Sequence, residues 1–114
     1  MDINERLYNI GREYVHFGLE HSAAYRVAFM IGPPKQTEKY KVRVMAAGHR
    51  AFGVLLDACN AARGTDDAQT HALAQSKWAS VHGLVALLLA RDAFPWVDRE
   101  MLIETHLRRV CTFG

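Results

Sequence analysis

Trp78-Ala79-Ser80-Val81-His82-Gly83-Leu84-Val85-Ala86-Leu87-Leu88-Leu89-Ala90 is the stretch on which the fold turns. From Val81 to Ala90 only His82 and Gly83 interrupt a run of aliphatic residues. About 20 apolar residues are needed to span a bilayer, so this run is too short for a membrane helix. Its apolar residues also fall all the way round a helix, and such a helix must be covered on every side. In so small a chain, part of that cover is expected from a second copy. The alternative is a helix buried centrally in a monomer, which five helices surround only with difficulty.

The same helix, expected from about Asp67 to Arg91, carries a second pattern. Ala72, Ser76, Ala79, Gly83, Ala86 and Ala90 recur at spacings of three and four on one face. Small residues in a row let another helix approach closely. Trp78, Val85 and Leu89 lie to one side of this stripe, with His82 between them and it; Leu84, Leu87 and Leu88 lie toward the other. The simplest division gives one side to the subunit's own core and the other to a partner helix.

Outward from this segment the chain reads as helical nearly throughout. Alternating strand patterns are absent, and Gly and Pro cluster at breaks. A first helix is expected from Asp2 or Asn4, either of which can cap it, to Glu20; Ile3, Leu7, Ile10, Tyr14 and Phe17 recur at helical spacing. Ser22 can cap a short second helix over Ala23 to Met30, carrying Tyr25, Val27 and Phe29. Pro33-Pro34 makes Gly32 to Gln36 a loop. A third helix should open at Thr37 or Glu38 and run to about Ala62, with Val42, Met45, His49, Phe52, Leu55, Leu56 and Cys59 as its apolar face. Gly48 and Gly53 inside it mark close packing, room for a ligand, or plain tolerance.

Gly64 is expected as the C-cap of that helix, and Thr65 or Asp66 as the N-cap of the next. Asp98 should cap a fifth helix over Arg99 to Thr112. Met101, Leu102, Thr105 and Arg109 fall on one face of it, and Ile103, Leu107 and Val110 on another. The reading is one all-α domain of about five helices spanning residues 1–114.

Length and composition agree with a globular domain. A chain of 114 residues buries roughly two thirds of its extended surface and needs no staples. Half the residues are hydrophobic and 23% are charged. The net charge of +2 does not by itself argue for nucleic acid, which needs several basic side chains on one face. Basic residues do thicken from Lys35 to Arg50, as a solvated face or an anion contact. Cys59 and Cys111 form no CxxC, and no His lies at zinc-ligand spacing from them. Without a signal peptide they read as two free thiols in a reducing cytoplasm.

Catalytic constellations are missing. There is no glycine-rich phosphate loop after a strand, no G-x-S-x-G and no HExxH, so no enzyme, metal or cofactor is expected. Of the six histidines, His82 stands one helical turn after Trp78, so both point the same way. The pair lines a pocket, with the indole as wall and the imidazole as polar handle, or His82 is a satisfied core histidine. Tyr14, Phe17, Tyr25, Phe29, Phe52 and Trp78 likewise fill a core or wall an apolar ligand cavity.

Trp78-x-x-x-His82-Gly83 followed by aliphatics resembles the C-terminal regulatory domain of TetR-family transcriptional regulators, in the subgroup named for a Trp-His-Gly signature. Arg12 to His21 with Ala24 to Met30 is similar to that subgroup's opening helices, Ala51 to Ala58 to its next helix, and Leu102 to Gly114 to its closing one. The resemblance covers nearly the whole chain. The family's N-terminal helix-turn-helix domain has no counterpart here, so the chain is read as a fragment or as a natural protein without the DNA reader.

What the resemblance implies is an all-α bundle that dimerises through its last two helices and binds a small, mostly apolar or aromatic effector among the earlier ones. By that implication Tyr14, Phe17, Tyr25, Phe29, Phe52, Leu56, Trp78 and His82 are pocket candidates. Ala79, Gly83, Leu84, Leu87 and Leu88 with Met101, Leu102, Thr105 and Arg109 are interface candidates. Isologous pairing would suit the apolar surplus of the long helix. Such a chain would form a homodimer and would not itself bind DNA. A reading of a different class is a free-standing helical protein–protein interaction module, which predicts a hetero-partner and no internal cavity.

Overall fold

The computed structural model describes the backbone of residues 2–29 and 38–112, and the side chains of 2–26 and 49–112. Five helices and no strand occur among them: α1 (Ile3–Glu20), α2 (Ser22–Phe29), α3 (Glu38–Arg63), α4 (Ala68–Ala90) and α5 (Arg99–Val110). The expected loop at Gly32 to Gln36 lies outside the described residues. So do the side chains of Phe29, Val42, Met45 and most of the basic stretch after Lys35.

Local chemistry sets the ends. The Asp2 carboxylate accepts from the Glu5 N–H at 2.9 Å, and Asp98 accepts from the Met101 N–H at 3.0 Å. Gly64 takes φ of +73°, the left-handed conformation that closes α3, and its N–H bonds the Asn60 carbonyl at 2.8 Å. The cap of α4 is Asp67, one or two residues beyond the expected Thr65 or Asp66. Its carboxylate takes both the N–H and the hydroxyl of Thr70, at 2.9 and 3.0 Å. The Thr70 hydroxyl, fully buried, also reaches the Thr65 carbonyl at 2.9 Å. Ser22 is the first residue of α2 rather than its cap, because the His21 carbonyl already accepts from the Tyr25 N–H.

The helix α4 packs against α1, α3 and α5. Val81, Leu84, Val85 and Leu88 join Leu7, Val15, Leu55, Cys59, Ile103 and Leu107 in one core. Ile103 and Leu107 come from the second apolar face of α5. Leu84 and Leu88 were expected on a partner subunit, and this is a correction: they are 7% and 2% exposed inside their own subunit. They continue the face of Val81 and Val85 at i+3 and i+4 spacing, so they turn inward with it. Among the described residues, no helix is long and apolar enough to cross a membrane.

The most buried line of α1 is Leu7, Gly11, Val15 and Gly18, which shares only Leu7 with the expected stripe of Ile3, Leu7, Ile10, Tyr14 and Phe17. Two glycines cause the shift. A Cβ on Gly11 would lie 2.8 Å from both Cys111 Sγ and a Leu107 methyl, and one on Gly18 would lie 2.8 Å from a Val85 methyl. The backbone of α1 therefore touches α5 and α4 directly, and Ile10, Tyr14 and Phe17 stand beside the contact line. Gly18→Ala should cost about 1–2 kcal/mol in urea unfolding, since overpacking of about 1–3 kcal/mol exceeds the gain in helix propensity. Gly53→Ala meets nothing within 4 Å and should be neutral or stabilising. Equal effects at the two sites would contradict the close packing at Gly18.

Two helix ends are finished by basic side chains from neighbouring helices. The last turn of α4 contains no basic residue, and Arg26 of α2 donates to its Leu89 carbonyl. Lys77 of α4 donates to the Val110 and Thr112 carbonyls at 2.7 and 2.9 Å, at the end of α5. Cations at these negative helix ends are stabilising, and they fasten α2 to α4 and α4 to α5.

Candidate functional site

The displaced stripe of α1 opens a space. Ile10, Tyr14 and Phe17 face Phe52, Val54 and Leu55 of α3, with Lys77, Trp78 and Val81 of α4 alongside and Cys111 at the α5 end. Together they enclose about 460 Å³. The volume falls in the range of small-molecule sites, and the walls are mostly aliphatic and aromatic. Phe17 and Val54 are nearly half exposed and form the mouth. Phe52 and Trp78 meet with ring centroids 5.9 Å apart.

Four of the eight sequence candidates for a pocket line this space: Tyr14, Phe17, Phe52 and Trp78. Tyr25 and His82 do not. They form the layer behind Tyr14, and Tyr25 is only 1% exposed. Leu56 packs against the core instead of the cavity, because Leu55 occupies the inward position one residue earlier. The side chain of Phe29 lies outside the described residues. Sequence reading did not single out Ile10 or Cys111 as walls; the glycine at 11, with its missing Cβ, was the available signal.

Polar groups behind the wall form one chain. Trp78 Nε1 donates to the Tyr14 hydroxyl at 3.2 Å, Tyr14 and Tyr25 hydroxyls are 3.0 Å apart, and the Tyr25 hydroxyl bonds His82 Nδ1. The two tyrosine rings pack edge to face at 6.0 Å, and the Tyr25 ring stacks on His82. Of the two alternatives raised for His82, the structure has the satisfied core histidine: it does not line the cavity, and its partner is the Tyr25 hydroxyl.

Desolvation governs the titrating groups here. Burial raises the Tyr14 and Tyr25 phenols above their ordinary range, although the bonds from Tyr25 and Trp78 pull Tyr14 back somewhat. Burial pushes the Cys111 thiol up to about 11, against the pull of nearby Lys77, and also raises Cys59. Both cysteines are free and buried. Of the lining groups, the Tyr14 phenol and the Cys111 thiol therefore stay uncharged at neutral pH, and the charged side chains of the lining are Glu13 and Lys77.

Burial lowers the pKa of His82. It also lowers that of His106, against the opposing effect of the His106 bond to the Ser80 carbonyl at 3.1 Å. Each is held neutral in the folded chain and takes up its proton more readily when unfolded. Stability from both is complete above the unfolded value of about 6.5 and is lost as pH falls from there through the lowered folded values. The melting temperature should fall between about pH 7.5 and pH 5, and His106→Asn should flatten that slope; a flat wild-type profile would contradict it.

The face proposed for a partner splits in two. Leu84 and Leu88 are core, and Leu102 is partly buried against it. Ala79, Thr105 and Arg109 are exposed, as are Leu87 at 51% and Met101 at 61%. Gly83 is half-buried, and a Cβ there would meet nothing within 4 Å.

The fold and the cavity define an all-α domain whose central helix has an apolar chamber on one side and an uncovered small-residue face elsewhere. The family model for the Tetracyclin repressor-like, C-terminal domain matches residues 7–110, and the chain belongs to that family. No curated protein and no solved structure matches it.

Proposed function

We propose that this chain is the ligand-sensing and dimerisation domain of a TetR-like transcriptional regulator. It binds one small, mostly apolar effector and thereby controls DNA binding by a helix-turn-helix domain that is not in this sequence. The observation that carries the reading is the apolar space of about 460 Å³ walled by Tyr14, Phe17, Phe52 and Trp78. A rigid adaptor that docks another protein through its surface has no use for such a chamber. A lining of aromatic and aliphatic side chains with the one partly buried Tyr14 phenol favours uncharged aromatic or aliphatic compounds. The small-residue stripe of α4, with Leu87 and Met101, supports self-association of two copies about a two-fold axis.

A thermal-shift screen with small apolar and aromatic compounds tests the ligand claim. Binding only to the folded state raises the melting temperature by RT ln(1 + [L]/Kd), about 2.7 kcal/mol at a hundredfold excess over Kd. Trp78→Ala, once shown by circular dichroism to fold, should lose the response. A response preserved in that variant would move the ligand elsewhere, and no response to any compound would overturn the reading.

A further inference from the structure

The hydrogen-bond chain behind the cavity has a direction, and that direction specifies what the cavity accepts. An indole N–H only donates, so the Tyr14 oxygen is the acceptor of the 3.2 Å bond from Trp78. At the other end, a phenol is the stronger proton donor and a neutral imidazole nitrogen the stronger acceptor. The Tyr25 hydroxyl therefore gives its only proton to His82 Nδ1. The 3.0 Å contact between the two phenols must then be filled by the other available proton, that of Tyr14. The order is Trp78 N–H to Tyr14, Tyr14 O–H to Tyr25, Tyr25 O–H to His82.

Tyr14 and Trp78 line the cavity, whereas Tyr25 and His82 do not. Tyr14 is thus the one phenol of the chain that belongs to the cavity lining. Its proton is directed away toward Tyr25, and one of its two oxygen lone pairs is taken by Trp78. One lone pair remains, which accepts and cannot donate. Among the described residues, the other charged groups of the lining compete poorly for this role: the Lys77 ammonium is engaged with the α5 carbonyls, and Glu13 is exposed.

Building on the effector reading above, we propose that the cavity selects uncharged apolar compounds bearing one hydrogen-bond donor, a phenol or alcohol, over isosteric ethers and hydrocarbons. Tyr14 is the specificity-determining residue, and His82 is a positioning residue that acts through Tyr25. The low pKa of His82 is consistent with the neutral ring this requires. Removing the acceptor at 82 reverses the order. Tyr25 then turns its proton to Tyr14, and the Tyr14 proton becomes available to the cavity as a donor.

The test uses 2-naphthol, 2-methoxynaphthalene and naphthalene, titrated by calorimetry into the full chain. The expected result is 2-naphthol binding about fivefold to tenfold more tightly than the methyl ether, as one net hydrogen bond gives. Tyr14→Phe should abolish that preference while retaining naphthalene, and His82→Phe should shift it toward the ether. Because His82→Phe could unfold the chain, the imidazole nitrogen shifts of the wild type provide an independent readout, with Nδ1 expected unprotonated. A proton on Nδ1, or equal binding of all three compounds, would overturn the selectivity while leaving the cavity as a ligand site. Binding of none would overturn the effector reading and this inference with it.

Discussion

Gly83→Leu is expected to leave the subunit folded and to weaken its self-association. Inside the subunit a Cβ at 83 meets nothing within 4 Å, and leucine is the better helix former by about 1 kcal/mol. Helicity and unfolding midpoint of the monomer should therefore hold or rise. At a close helix-to-helix contact the same side chain overpacks, at about 1–3 kcal/mol, and two-fold symmetry imposes it twice. The dimer dissociation constant should rise roughly thirtyfold or more. Light scattering at tens of micromolar reads the result directly. A wild-type chain that is already monomeric there removes the dimer, and a variant that stays dimeric removes the α4 stripe as its interface.

Tyr25→Ala is expected to destabilise the fold by about 3–5 kcal/mol, the largest loss from any single truncation considered. The ring is 1% exposed and sits between Tyr14 and His82, so its removal leaves a large void. It also strips the hydroxyl from both neighbours, whose polar atoms are then short of partners in a dry interior. For a domain that is marginally stable by nature, much of the native population disappears. Tyr25→Phe keeps the packing and should cost only about 1–3 kcal/mol. Urea denaturation distinguishes the two; similar losses would mean that the hydroxyl, not the ring, dominates.

The helices were legible because their end signals are local. Asp2, Gly64 and Asp98 act where their chemistry places them, and only the cap of α4 moves, to Asp67 from Thr65 or Asp66. The faces of α4 and α1 were harder, for two physical reasons. The segment from Val81 to Ala90 is apolar on nearly every side, so periodicity cannot say which leucines face inward; Leu84 and Leu88 went to the core and Leu87 to the surface. In α1 the decisive residues are Gly11 and Gly18, which carry no hydrophobic signal and yet set the closest backbone contacts.

The site was legible at the level of aromatic residues on facing helices. Trp78 and Tyr14 come together because α1 and α4 pack side by side, and neighbouring Phe52 follows from α3. What the sequence could not reveal is depth. His82 follows the cavity residue Trp78 by one helical turn, and Tyr25 belongs to the same aromatic set, but both stand a layer behind, held there by a bond between positions 57 residues apart.

The chain carries two tryptophans, Trp78 and Trp96, and their indole N–H resonances give the most direct test of the ligand cavity. Trp78 Nε1 bonds Tyr14 at the cavity wall, whereas Trp96 Nε1 bonds the Arg91 carbonyl at 2.8 Å in the turn between α4 and α5. In a titration with a compound that raises the melting temperature, the Trp78 signal should shift with saturation while the Trp96 signal stays in place. A shift of Trp96 alone, with Trp78 unmoved, would contradict the placement of the ligand between α1, α3 and α4.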